Sequence, residues 1–187
     1  TGKGPQVNTA DLDVHFIANH WVSGYMSLSF TDAGSTDLLN QGFVTIGNLN
    51  DSSVYASIGK MYDPFGQFST TRTDSTLGKG SFRQTHDSDI SVGFYQDGLN
   101  VVAFTFRPGS ADSNVGDGDE LFKEYGGKVG YSFAPGDMSV SMSASYETQA
   151  DAFSDSSYRN AAWDVYGKVG MGAVSMWAEY TTLAKKA

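Results

Sequence analysis

No cysteine occurs among the 187 residues, which excludes disulfides and thiolate metal sites and leaves both a cytosolic and an outer-membrane location open. No run approaches the roughly 20 apolar residues of a membrane-spanning helix, and Thr1 opens no signal peptide. This excludes a helical membrane protein only, because a transmembrane strand needs just about 10 alternating residues and gives a weak hydropathy signal. Basic residues are scarce: 12 Lys and Arg stand against 21 Asp and Glu, for a net charge of −9. Such a chain repels nucleic-acid phosphates unless a basic patch is segregated, and the sequence carries no such patch, so nucleic acid is not an expected partner. Proline is also rare, at 4 residues, which leaves long segments free to pair as strands.

What is present points the same way. Aromatics make up 13% and glycine numbers 22, a composition too aromatic for disorder and too glycine-rich for a helical bundle. The length suits one β domain, and a mean hydropathy of −0.30 suits a barrel with a polar lumen. From Asp11, Leu12, Val14 and Phe16 oppose Asp13 and His15, the period-2 pattern of a strand. Residues 21–31 set Gly24, Met26, Leu28 and Phe30 against Ser23, Tyr25, Ser27 and Ser29. Segments 41–47 and 54–61 form the next pair, with mixed faces that do not assign the sides. Residues 89–96 align Ile90, Val92 and Phe94, and Asp97-Gly98 is a strong hairpin signal into 99–107, where Val102, Phe104 and Phe106 align. Residues 128–133 align Val129, Tyr131 and Phe133, and Pro135-Gly136 turns the chain into 138–147, where Met138, Val140, Met142, Ala144 and Tyr146 alternate strictly with serines and Glu147. The last pair is 161–169 and 173–182.

Ten strands are thus expected, with no helix, and their connections alternate between short turns and long loops. A soluble β-sandwich has no reason to put all its long connections at one end, whereas an outer-membrane barrel has short periplasmic turns and long extracellular loops. Serine, glycine and tyrosine on the polar faces suit a lumen better than bulk water, and Trp21, Phe106, Phe133, Tyr146, Trp163 and Tyr180 near strand ends suit interfacial girdles. The expected fold is therefore all-β, an antiparallel up-and-down transmembrane β-barrel, with membrane lipid as a partner. With the long loops outside, the first strand starts outside and the tenth ends outside. Ten strands are then expected to be part of a larger barrel, with at least one strand missing from each end, since an open sheet leaves unpaired edges in lipid. The closing Lys185-Lys186-Ala187 also lacks the terminal aromatic of an outer-membrane assembly signal.

The stretch 54–80 carries the most individual feature. Its alternating run climbs to a corner at Tyr62, Pro64, Phe65 and Gly66 and then enters a long Ser/Thr-rich connection. Pro64 marks the strand end, and Gly66 allows a sharp turn beside a bulky Phe65. Segments 42–70 and 89–106, with the strand around Met138 and the 177–182 segment, resemble the LbtU-like siderophore porin family of outer-membrane proteins. The most specific part is the corner made by Gly59, Lys60, Tyr62, Pro64, Phe65, Gly66, Gln67 and Phe68. The resemblance covers most of this chain and about half of a full family member. It implies a barrel of about 16 strands that carries ferric siderophore across the outer membrane without the internal plug of TonB-dependent receptors.

No chemistry is expected of the chain. His86, Asp87, Ser88 and Asp89 include the residue types of a hydrolytic triad, but neighbours in sequence cannot form that geometry among themselves. His15, His20 and His86 lack metal-ligand spacing, so neither a resident metal nor another cofactor is expected. The acidic run 112–120 offers hard oxygen ligands without the EF-hand spacing, leaving calcium and a hydrated loop both open. Lys60, Arg72, Lys79 and Arg83 gather around the long corner loop of an otherwise acidic chain, where they would attract anionic siderophores or simply add solubilising charge. The functional expectation is passive or facilitated passage of iron-siderophore through a porin-like channel. The alternatives are a surface or structural outer-membrane protein without transport and a secreted soluble β-sandwich binding module.

Overall fold

Alternating segments joined by tight turns can satisfy their backbone hydrogen bonds only against neighbours, and the meander that results dominates the structure. The computed structural model describes residues 9–31, 38–67, 82–83, 86–106, 124–152 and 160–184. The strands are β1 (Thr9–Asn19), β2 (Val22–Thr31), β3 (Leu39–Ile46), β4 (Val54–Tyr62), β5 (Phe82–Arg83), β6 (His86–Gln96), β7 (Leu99–Phe106), β8 (Glu124–Phe133), β9 (Met138–Ala152), β10 (Asn160–Met171) and β11 (Val174–Leu183). Ten of them form one continuous antiparallel sheet in chain order, from β1 through β4 and then β6 to β11. The sheet is all-β and continuous rather than two stacked layers, and β1 does not pair with β11, so it is open.

Turn chemistry fixes the register. Asp97 and Gly98 have φ of 49° and 85°, the left-handed pair of a type I′ hairpin, so Gln96 meets Leu99 and the β6/β7 ladder runs without a slip to Asp89 and Phe106. Gly98 is required for space as well: a Cβ there would lie 2.0 Å from the Ser132 carbonyl oxygen, while the Ser132 amide donates to the Gly98 carbonyl at 2.9 Å. At the first turn, Asn19 Oδ1 accepts from the amides of Trp21 and Val22 at 2.8 and 3.0 Å. The ends of the strands bordering the long connections lie at the opposite edge of the sheet, where Tyr62 pairs with His86 and Phe106 with Glu124.

The two faces of the sheet differ in chemistry. One carries large apolar side chains that remain exposed: Val92, Val129, Met142, Val165 and, at 75%, Met176. The other carries small polar residues that are buried, among them Ser27, Ser57, Ser91 and Ser145. Cross-strand partners share a face, so the inner row Ser23, Thr45, Ser57, Ser91 is continuous across β2, β3, β4 and β6, with a hydroxyl contact of 2.8 Å between Thr45 and Ser57. This register also separates the mixed faces of the third and fourth strands. Val44, Ile46 and Ile58 face outward, and Phe43, Thr45, Tyr55 and Ser57 inward.

Two features were not foreseen. Strands β6, β8 and β9 extend towards the long connections, β8 starting at Glu124 rather than 128 and β9 running on to Ala152 rather than 147. The two-residue β5, within the connection that leaves β4, pairs with β9, Phe82 opposite Ala152 and Arg83 opposite Asp151. The run 112–120, with its open calcium question, and the closing residues 185–187 lie outside the described residues.

Candidate functional site

Inner-face residues of a β-sheet that surround no second layer need something else to cover them, and here a stretch of the chain does it. Beyond Tyr62, where β4 ends, the chain turns inward: Asp63, Phe65 and Gly66 are buried, and Phe65 is fully so. Pro64 stands just past the strand, as its missing N–H requires, and Gly66 has φ of 63°, a conformation that a side chain would strain. The Phe65 ring packs with Phe104, Phe106 and Ala162, and Leu183 flanks the cluster. These residues belong to β7, β10 and β11, so the corner crosses the concave side of the sheet from β4 to its far edge.

Three side chains grip the corner's backbone. The Gly66 amide donates to Ser145 Oγ at 2.9 Å, the Lys128 ammonium donates to the Gly66 carbonyl at 2.5 Å, and the Gln67 amide donates to Glu179 Oε1 at 2.6 Å. Lys128 also reaches Gln67 Oε1 at 3.3 Å. The corner would otherwise present unpaired amide groups to a buried surface, so these bonds from β8, β9 and β11 make the inward path tolerable. Aromatic rings fill the space over small residues around it. Tyr55 lies over its cross-strand partner Gly93, Phe104 over Gly126 and, on the outer face, Phe16 over Gly24. A Cβ at Gly126 would lie 2.3 Å from the Phe104 ring.

Charge is sorted by face. The charged side chains described within strands point inward with one exception: Asp11, Asp13, Asp89, Glu124, Glu147, Asp164 and Glu179 share the concave side with Lys128 and Lys168. Only Lys60 lies on the outward face, beside Ile58 and Tyr62, and its ammonium donates to the Leu39 carbonyl at 2.7 Å. Tyr25 donates to Asp13 Oδ1 at 2.9 Å, Ser29 donates to Asp11, and Thr181 donates to Asp164 Oδ2 at 2.7 Å. Among the described residues no group of His, Asp and Glu has the arrangement to hold a metal ion.

The residues singled out in the sequence meet different fates. Tyr62, Pro64, Phe65 and Gly66 form the inward corner. Of the basic group, Lys60 sits on the outer wall, the Arg83 backbone lies in β5 against Asp151, and Arg72 and Lys79 fall outside the described residues. His86, Asp87, Ser88 and Asp89 lie consecutively along β6. Sequence reading missed Lys128, Ser145 and Glu179. A lysine between Gly126 and Gly130 on a small-residue inner face was the available signal, but nothing local ties it to Gly66, 62 residues away.

No family model matches the chain. No solved structure matches it. The chain is similar to a UPF0422 protein of Coxiella burnetii, 33% identical over an alignment of 196 residues that covers 94% of this chain and 41% of that protein. It is also similar to UPF0422 proteins of Legionella pneumophila, strains Lens and Philadelphia 1, each 32% identical over 80 residues, 38% of this chain and 15% of theirs. The chain thus spans well under half the length of the curated relatives it matches, and what it is similar to is UPF0422 proteins of these two bacteria.

Proposed function

We propose that this chain is part of the wall of an outer-membrane β-barrel whose polar interior, narrowed by the inward 63–67 corner, passes a solute with no chemical step. The observation that carries the reading is the sorting of side chains by face. Large apolar residues stay exposed on the convex side while serines and carboxylates are sequestered on the concave side, the reverse of a water-soluble sheet. An outward Lys or Arg at the bilayer midplane costs about 2–4 kcal/mol and far less near the interface. Lys60 fits that rule, two residues from the end of β4 and tied to a backbone carbonyl. Strands beyond β1 and β11 would close the barrel and remove the two open edges. The cargo suggested by the resemblance at the 59–68 corner is an iron-siderophore complex.

The reading is tested with the full-length protein in planar lipid bilayers. Stepwise conductance increments and siderophore-dependent iron uptake in intact cells are the expected results. Insertion without any conductance would favour a structural outer-membrane protein, and a protein monodisperse without detergent would remove the membrane reading.

A further inference from the structure

We infer that the 63–67 corner is a fixed size filter rather than a movable gate, that Lys128 is the residue positioning it, and that solute passes beside it along β1 to β3; this rests on the channel reading above. Lys128 and Ser145 are direct cross-strand neighbours on the concave face, and together they hold both backbone polar groups of Gly66. Ser145 Oγ accepts from the Gly66 amide at 2.9 Å, and the Lys128 ammonium donates to the Gly66 carbonyl at 2.5 Å and to Gln67 Oε1 at 3.3 Å. Gly126 and Gly130, two residues to either side of Lys128 on the same face, carry no side chain to obstruct its stem. Asp164 and Glu179 act electrostatically on the same ammonium, so its charge is compensated while its hydrogens serve the corner. Glu179 in turn accepts from the Gln67 amide at 2.6 Å.

Release of the corner is unfavourable at each point of attachment. The Phe65 ring, fully buried against Phe104, Phe106 and Ala162, would return to water, and Gly66 would lose the partners of both its amide and its carbonyl. Segments that open readily have few buried apolar contacts and solvent-exposed backbone bonds, and this one has the opposite character.

The corner lies over the β7 to β11 side of the interior. Its packing and the bonds described above come from those strands, and inward residues there are buried, Val102, Phe104, Ser145, Ala162 and Asp164 among them. On β1 the inward Asp11, Asp13 and His15 are exposed. Beside them Tyr25 and Phe43 continue a partly open strip of rings, with centroids 4.7 Å apart from His15 to Tyr25 and 5.5 Å from Tyr25 to Phe43. The filter therefore admits small or slender polar solutes past this strip and rejects compact ones that need the full bore.

The test uses single channels of the full-length protein in a planar bilayer, with polyethylene glycols of graded size in the bathing solution. The largest polymer that still lowers the conductance step should shift to larger sizes in K128M and in F65A. It should stay at the unaltered value in K168M, which removes the same charge from an inward lysine that does not hold the corner. An unshifted limit in both K128M and F65A overturns the inference and leaves the channel intact, as does a shift in K168M equal to that in K128M. A second measurement serves should K128M and F65A fail to insert: single cysteines in a cysteine-free background, probed in open channels with a methanethiosulfonate reagent. H15C should react and lower the step, while A162C, beneath the Phe65 ring, should not. Reaction at A162C means that the corner swings aside and overturns the fixed filter, and no block at H15C overturns the route. Absence of any conductance in the unaltered protein overturns the channel reading itself, and the inference with it.

Discussion

Phe65 belongs to no strand, yet it is fully buried, and its ring is the centre of an apolar cluster on the inner face. Burial of a phenylalanine against Phe104 and Phe106 stabilises the corner, while Ser145, Lys128 and Glu179 satisfy the backbone it carries inward. Phe65→Ala should therefore destabilise the folded protein by about 3–5 kcal/mol if the site cannot collapse. A urea titration of the full-length protein in detergent micelles reads this directly. A change below about 1 kcal/mol would mean that the corner is not packed against β7. The residues flanking Phe65 were legible in sequence as a turn, because proline and glycine restrict the backbone locally. That the turn points inward was not legible, because its partners lie on β7 to β11 and no local pattern names them.

At the scale of the strand, β9 is the most informative element. Met138 and Met142 are exposed on one face, while Ser145 and Glu147 are buried on the other, as strict alternation along one ladder requires. Met142→Arg should cost about 2–4 kcal/mol if that position lies near the bilayer midplane, and Ser141→Arg, on the inner face, much less. Equal costs in a refolding titration into lipid vesicles would remove the membrane wall at this strand. Strand β7 shows the limit of the same logic. Val102, Phe104 and Phe106 align in sequence as an apolar face, which the barrel expectation would turn outward. Here it is turned inward, buried under the Phe65 ring, with exposed Leu99 and Val101 on the outer side. Alternation divides a strand into two faces without saying which is inside, and β7 has apolar residues on both.

For the molecule as a whole, connection length sets orientation. The long connections follow β2, β4, β7 and β9, leaving from one edge of the sheet, and the short turns at Asp97, Pro135 and Gly172 lie at the other. If the long connections are extracellular, a cysteine placed at Tyr125 in a cysteine-free background should react with a membrane-impermeant maleimide on intact cells, while one at Gly136 should react only after the outer membrane is opened. The reverse pattern would invert the protein in the membrane, and equal reactivity on intact cells would argue that no membrane separates the two ends.

The sequence by itself determined which segments are strands, where the hairpins turn and that polar and apolar residues separate onto opposite faces. These are properties of local backbone sterics and of a side-chain period of two, so they need no distant partner to be read. Tertiary structure alone decided which face is concave, how the faces of β3 and β4 are assigned, that β5 joins the end of β9, and that the 63–67 corner lies across the interior. Each of these depends on contacts between residues far apart in the chain, Gly66 with Ser145 and Gln67 with Glu179 among them. Such contacts form only when the curl of the sheet brings β4 opposite β9 and β11, a geometry set by the whole ladder and written in none of its strands.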